Sequence, residues 1–300
     1  MVQKTDLNVS PYYDDFDETD NFHRVLYRPS FAVQARELTT QQSILQNQIE
    51  KMGRHIFKEG AIVIPGEIGV TDEYYAVKLQ SSFNGSSITS NASSYVDKII
   101  TGATSGVQAQ VVGFTDADST DPLTLFVKYI KPQDSDRTTL SFSDGENISA
   151  DGTIGSFSAN QESAVLQATD ATATGSAAYV NEGVYFIRGH FVRSTSQRLI
   201  LDKYSNTPSY RVGFTITENL ITPESDTSLL DNATGSSNEN AKGAHRLNIT
   251  LTLSKLTLGS TADQNFVELL RISNGRVQAK ARPTEYSVLG DNLARRTFDE

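Results

Sequence analysis

The stretch from Phe31 to Phe57, FAVQARELTTQQSILQNQIEKMGRHIF, constrains this chain more than any other. Phe31, Ala35, Leu38, Gln42, Leu45, Ile49, Met52 and Ile56 follow one another at alternating intervals of four and three residues. That is an apolar seam repeating about every 3.5 residues, the pattern of a coiled-coil or bundle core. No proline interrupts it, and Gly53 is its weakest helix former. At about 1.5 Å per residue, a helix over residues 31–60 runs for roughly 40 Å, long for a globular domain. Ser30, after Pro29, fits an N-cap, and Lys58-Glu59-Gly60 fits a C-terminal stop. Everything beyond Gly60 reads as strands. The expected fold class is therefore mainly β with one long N-terminal α-helix, the β part divided into sandwich or barrel modules.

Two readings of the seam stay open. As a heptad, Ala35, Gln42, Ile49 and Ile56 take one core position, and Phe31, Leu38, Leu45 and Met52 take the other. The flanks are mostly Gln and Thr, so opposed charges do not choose the partner, and Gln42 becomes a polar layer that fixes register. Alternatively the helix packs on its own chain's sheet and Gln42 reaches the surface. Ile44, off the seam, widens the apolar face in that direction.

Composition narrows the remainder. Three hundred residues suggest about two domains. An apolar share of 37 % is low for a compact enzyme and too high for a disordered chain. The net charge of −10 disfavours non-specific binding to nucleic acid or anionic membrane, and there is no Lys/Arg run to reverse that locally. With no cysteine, disulfides, thiolate nucleophiles and Cys-ligated metals are excluded. No signal-peptide core or transmembrane-length run is present, so the sequence reads as a soluble chain made in a cytoplasm. The stop at Arg295-Arg296-Thr297-Phe298-Asp299-Glu300, just after helix-like sequence, predicts that this is part of a longer protein.

Along the chain, residues 1–30 read as an extended docking arm. Pro11 and Pro29 argue against helix there, and Tyr12, Tyr13, Phe16, Phe22 and Tyr27 need a surface to pack on. Residues 61–80 together with 161–300 read as the main β-rich domain. Within it, VYFIRGHFV is a hairpin with Arg188-Gly189 or Gly189-His190 at the turn, and Leu247–Leu253 alternates as a half-buried strand. Phe266–Ile272 reads as a short helix after Asp263, and Thr284–Arg296 as a second amphipathic helix. Residues 81–160 read as an inserted small β module, with short runs at Tyr95–Ile100, Val107–Phe114, Leu123–Ile130 and Thr138–Phe142.

Catalytic signatures are absent: no nucleophile elbow, phosphate loop, dinucleotide fingerprint or His-Glu-x-x-His. His23, His55, His190 and His245 stand far apart with no metal spacing. Asp116, Asp118 and Asp121 begin like a calcium loop but lack its central Gly and closing Glu. Asp14, Asp15, Asp17, Glu18 and Asp20 form a second acidic run, which reads as a solvated turn. The expectation is a non-enzyme with no cofactor and no metal.

The block NVSPYYDDFDETDNFHRVLYRPSFAVQARELTTQQSILQNQIEKMGRHIFKEGAIVIPG resembles a domain-of-unknown-function family of large virion proteins in tailed bacteriophages, notably contractile-tailed phages of cyanobacteria. The stretches TPSYRVGFTITENLITPESDTSLLDNATGSSNENAKGAHRLNITLTLSKL and RPTEYSVLGDNLARRTFDE resemble the same family. The resemblance implies a structural tail component, the base of a tail fibre or a baseplate-attached adaptor anchoring a longer distal part. It implies virion localisation after assembly in the host cytoplasm, other tail or baseplate proteins as partners, and a homotrimer placing three long helices round one axis. A host-glycan-binding or glycan-cleaving receptor module and a neck or head–tail connector are the alternatives.

Overall fold

The protein is described from a computed structural model covering residues 3–64, 66–131, 141–261, 263–281, 284 and 286–299. Helix α1 spans Ala35–Ile56. It is followed by β1 (Ile62–Ile64), β2 (Ile68–Lys78) and the two short strands β3 (Ser82–Phe83) and β4 (Ser86–Ser87). Next come β5 (Ile99–Gly102), β6 (Gln108–Thr115), β7 (Thr124–Lys131), β8 (Asn147–Ala150) and β9 (Glu162–Val165). The chain continues through β10 (Thr172–Val180), β11 (Gly183–Ile187), β12 (His190–Ser194) and β13 (Gln197–Asp202). It ends with β14 (Tyr210–Ile221), β15 (Arg246–Thr257), β16 (Phe266–Ser273), β17 (Arg276–Lys280) and α2 (Ser287–Asp299).

The fold is mainly β, as expected, but α1 is shorter than residues 31–60. Ser30 does not cap it. Its φ of 72° and the Phe31 N–H to Arg28 carbonyl bond (3.3 Å) make a turn there, with the Arg28 guanidinium 4.7 Å from the Phe31 ring centre. Phe31 thus lies outside the helix and off its seam. The helix starts after Gln34, whose N–H donates to Glu37 Oε2 at 2.9 Å.

The largest sheet is antiparallel with strand order β13-β10-β2-β7-β6-β5-β8-β9. The region expected as an inserted module continues the sheet begun by β2 and β10, and among the described residues no barrel closes. Tyr95, expected to open a strand, instead ends a 3-10 turn over Thr89–Tyr95, and the Tyr95 hydroxyl donates to Ser163 at 2.8 Å inside the core. Of the expected strand Thr138–Phe142, residues 138–140 lie outside the described residues.

Two apolar cores meet along β2. Its later half contributes Val77 to a core shared with Tyr95, Ile100, Leu125 and Ile148, and its first residue, Ile68, joins a second with Tyr185, Phe214 and Leu270. Between the halves the β2–β10 register shifts between Gly175 and Ala177. The extra residue on β2 there puts Ile68 and Val77, an odd number of residues apart, on the same face of the sheet, while Tyr74 and Ala76 turn to a smaller cluster with Phe126 and Ala177 on the other. The second core is enclosed by the sheets β1-β11-β12 and β15-β14-β16-β17.

Phe266–Ile272, expected as a short helix, lies instead in the strand β16. Apolar spacing in so short a run cannot separate helix from strand. Asn274 and Gly275, both at positive φ (49° and 75°), make a two-residue hairpin turn to β17, and that turn requires a strand on each side. Among the described residues no helix is long and apolar enough to cross a membrane.

Helix α1 docks through Gly53. A Cβ at this position would sit 2.4 Å from Cε2 of Phe186, whose ring is buried and packed against Phe57 and Phe191. Gly53→Ala gains about 1 kcal/mol of helix propensity, but overpacking against an immobile ring costs about 1–3 kcal/mol. The expected outcome is a lower chemical-denaturation midpoint; an unchanged or raised midpoint would show that α1 does not seat on Phe186.

Candidate interaction surface

Three faces of α1 have three fates. The first, Gln46, Glu50 and Gly53, sits on the β11–β12 hairpin: Gln46 Nε2 donates to the Gly189 carbonyl at 2.8 Å, and Gly189 backs onto the Glu50 side chain. The second is covered by the chain's own N-terminal arm. Buried Asp14 accepts from the Ser43 and Thr40 hydroxyls, Asp15 pairs with Arg36 at 2.9 Å, and Glu18 pairs with Lys51. Ile44, the helix's one fully buried large side chain, points off the seam.

The third face is the seam itself. Leu38, Leu45, Ile49 and Met52 are 46–69 % exposed, Ala35 and Gln42 are exposed, and Ile56 is half-buried. The structure thus separates two roles that the sequence left joined. Packing on the chain's own body uses Ile44 and Gly53, and the heptad stripe is left facing outward. Helix α2 begins nearby, with the Tyr286 hydroxyl 3.5 Å from His55 Nε2, and its Leu289, Leu293 and Phe298 are also exposed.

The arm docks on its own helix through carboxylates more than rings. Tyr12 reaches β15's side of the molecule, its hydroxyl 2.6 Å from His245 Nδ1, and Phe16 is half-buried. Tyr27 hydrogen-bonds Gln41 at 2.8 Å while remaining largely exposed. Tyr13 and Phe22 are exposed.

The arm's start is held by a buried polar node that no local sequence pattern announces. Arg188 and Gly189 form the hairpin turn, with φ of 51° and 82°. Left-handed backbone disfavours arginine by about 1–2 kcal/mol, yet here its N–H donates to Glu59 Oε1 at 2.8 Å and its guanidinium, 1 % exposed, pairs with Glu218 of β14. Nη2 also donates to Asn265 Oδ1 at 2.9 Å, while Nε has no partner. Glu218 in turn accepts from the backbone N–H of Lys4 (3.1 Å) and Thr5 (2.8 Å) and from the Thr5 hydroxyl (2.6 Å). His190 Nε2 lies 3.3 Å from Gln3 Oε1. Burial alone would raise Glu218, but the Thr5 hydroxyl, Arg188 and the two backbone donors outweigh it and hold the carboxyl at about 2. Burial pushes His190 down, against the pull of Glu50 and Glu218.

The acidic loop resolves differently from a calcium site. Asp118 Oδ1 accepts from Thr120 and Asp121 N–H groups, which hold its carboxyl well below the usual range, and the Lys203 ammonium bridges Asp118 and Asp121 at 3.0 and 2.8 Å. Among the described residues no group of three or more His, Asp or Glu side chains is arranged to hold a metal. The four histidines do not converge: His190 joins the node, His245 meets Tyr12 and His55 meets Tyr286.

Comparison with family models matches residues 10–88 and 145–300 to the family described as a domain of unknown function (DUF4815). The chain belongs to that family. The DUF4815 match includes α1, the hairpin of β11 and β12, Glu218 and α2, and it skips residues 89–144, which contain β5, β6 and β7. No curated protein and no solved structure matches the chain.

The node gives the arm a pH dependence whose sign follows from the two shifts. Glu218, lowered, contributes stability that is whole above its ordinary value near 4.5 and is lost as pH falls toward 2. His190, also lowered, adds a loss beginning below about 6.5, because the unfolded imidazole takes up the proton first. Thermal melts or proteolysis of the arm between pH 7.5 and 2.5 should show loosening on acidification. Glu218→Gln should cost about 3–5 kcal/mol by stranding the buried Arg188 charge and remove the lower step. A melting profile unchanged by that substitution would mean the node does not hold the arm.

Proposed function

We propose that this protein is a structural, non-catalytic subunit that assembles with copies of itself through the exposed seam of α1. In this reading it forms the base of a tail fibre, or a baseplate-attached adaptor, of a tailed bacteriophage, anchoring a longer distal part. The virion context rests on the family resemblance read from the sequence. The assembly role rests on one observation: a regular heptad stripe lies on the face of α1 that the chain's own body and arm leave uncovered.

A helix that only needs to sit on its own globular body has no use for a 3.5-residue repeat, which keeps two straight seams in register against each other. The charges of α1 are engaged elsewhere. Arg36 and Lys51 pair with arm carboxylates, Arg54 with Glu50, and Glu37 with the Gln34 N–H. Copies that each carry a net charge of −10 are left with a neutral stripe through which to approach.

The copy number implied by the resemblance is three. Ile49 and Ile56 at one core position with Leu38 and Leu45 at the other favour two strands in free coiled coils, so the attached β body would have to set the trimer. Sedimentation or light scattering of the intact chain measures this directly. Leu45→Asp combined with Ile49→Asp should give a folded single chain whose stability changes by no more than about 1 kcal/mol, since both side chains are roughly half exposed already. A single-chain mass for the unaltered protein, or a variant that stays assembled, would overturn the proposal.

A further inference from the structure

We infer that copies of α1 meet in parallel and in register, with their Gln42 side chains closing one polar layer across the contact. This rests on the reading of the seam as a contact between copies. The seam's two sets of positions are unlike: Ala35, Gln42, Ile49 and Ile56 in one, and Leu38, Leu45 and Met52 in the other. Parallel helices in register bring like to like, so Gln42 meets Gln42. A carboxamide carries donors and an acceptor, and neighbouring amides satisfy one another. Antiparallel helices bring one set against the other, so Gln42 faces Leu38, Leu45 or Met52. The amide is then buried without a partner and incurs its full desolvation penalty.

Gln42 is free for this role. Gln41 accepts from the Tyr27 hydroxyl and Gln46 donates to the Gly189 carbonyl, so both neighbouring amides are committed within the chain. Among the described residues Gln42 makes no such bond, and it is exposed in the middle of the stripe. The opposing consideration is weak. Antiparallel packing would bring Glu37 of one copy toward Arg54 of another. Glu37 already accepts the Gln34 N–H at 2.9 Å and Arg54 already pairs with Glu50 at 2.6 Å, and exposed ion pairs contribute little. The orientation is therefore decided by the buried amide and not by the flanking charges.

The absence of cysteine makes the test direct, because each introduced thiol is the only one in the chain. Gln42→Cys and, separately, Leu45→Cys are prepared in the full chain, oxidised, and run on non-reducing gels beside a mass measurement in solution. In register, the Cα atoms of each layer fall within the span of about 4.4–6.8 Å that a disulfide bridges. Both variants should then convert mostly to covalent pairs, whereas Asn47→Cys, on the face covered by Glu18 of the arm, should not. If the mass shows assembly but Gln42→Cys links only when mixed with Leu38→Cys, Leu45→Cys or Met52→Cys, the helices are antiparallel and the inference falls while the assembly reading stands. If the mass is that of one chain, the assembly reading itself fails. Gln42→Leu adds an independent readout: it should melt higher and lose its single defined mass, and a variant identical to the parent in both would overturn the polar layer.

Discussion

The buried pair between Arg188 and Glu218 joins four separate parts of this molecule. Through it the tip of the β11–β12 hairpin, the far end of β14, the segment before β16 and the first residues of the arm share one set of hydrogen bonds. Two charges removed from water repay their desolvation only when their remaining donors and acceptors are satisfied. Glu218 is satisfied by the arm itself, while Nε of Arg188 keeps no partner, so the arm is a structural part of the node. Because Glu59 accepts the Arg188 N–H and Gln46 donates to the Gly189 carbonyl, the same hairpin tip also fixes where α1 lies.

With α1 fixed on two sides, its third side is determined by exclusion. Gly53 brings the helix backbone against Phe186, and the carboxylates of Asp14, Asp15 and Glu18 draw the arm along a second face. What is left facing outward is the apolar stripe, together with the exposed leucines of α2. Single exposed apolar side chains are ordinary on a protein surface. A regular line of them along a helix, free of charge, is the face that the proposed contact between copies would cover.

The sequence made some of this legible. The heptad spacing located α1, strict alternation located β15, and Arg188-Gly189 was one of two turns the hairpin allowed. Ser30 looked like a cap, but the turn at Arg28–Phe31 delayed the helix to Ala35. Phe266–Ile272 reads as helical, but its place between β14 and β17 and the turn at Asn274-Gly275 make it a strand. The run 81–160 extends the sheet of β2 and β10 through β7 while burying an apolar core largely its own. Strand pairing decided β16, whereas a local turn decided where the helix starts.

By itself the sequence determined that an uncharged apolar seam with the period of a helix-to-helix contact precedes a β-rich body, since residue spacing and side-chain type are properties of the chain alone. It could not say whether that seam faces inward or outward. Only the tertiary structure decided this, because the answer depends on Gly53 admitting Phe186 and on a hairpin tip, a distant glutamate and the N-terminal arm meeting in one buried node. Those residues are far apart in sequence, and no periodicity links them.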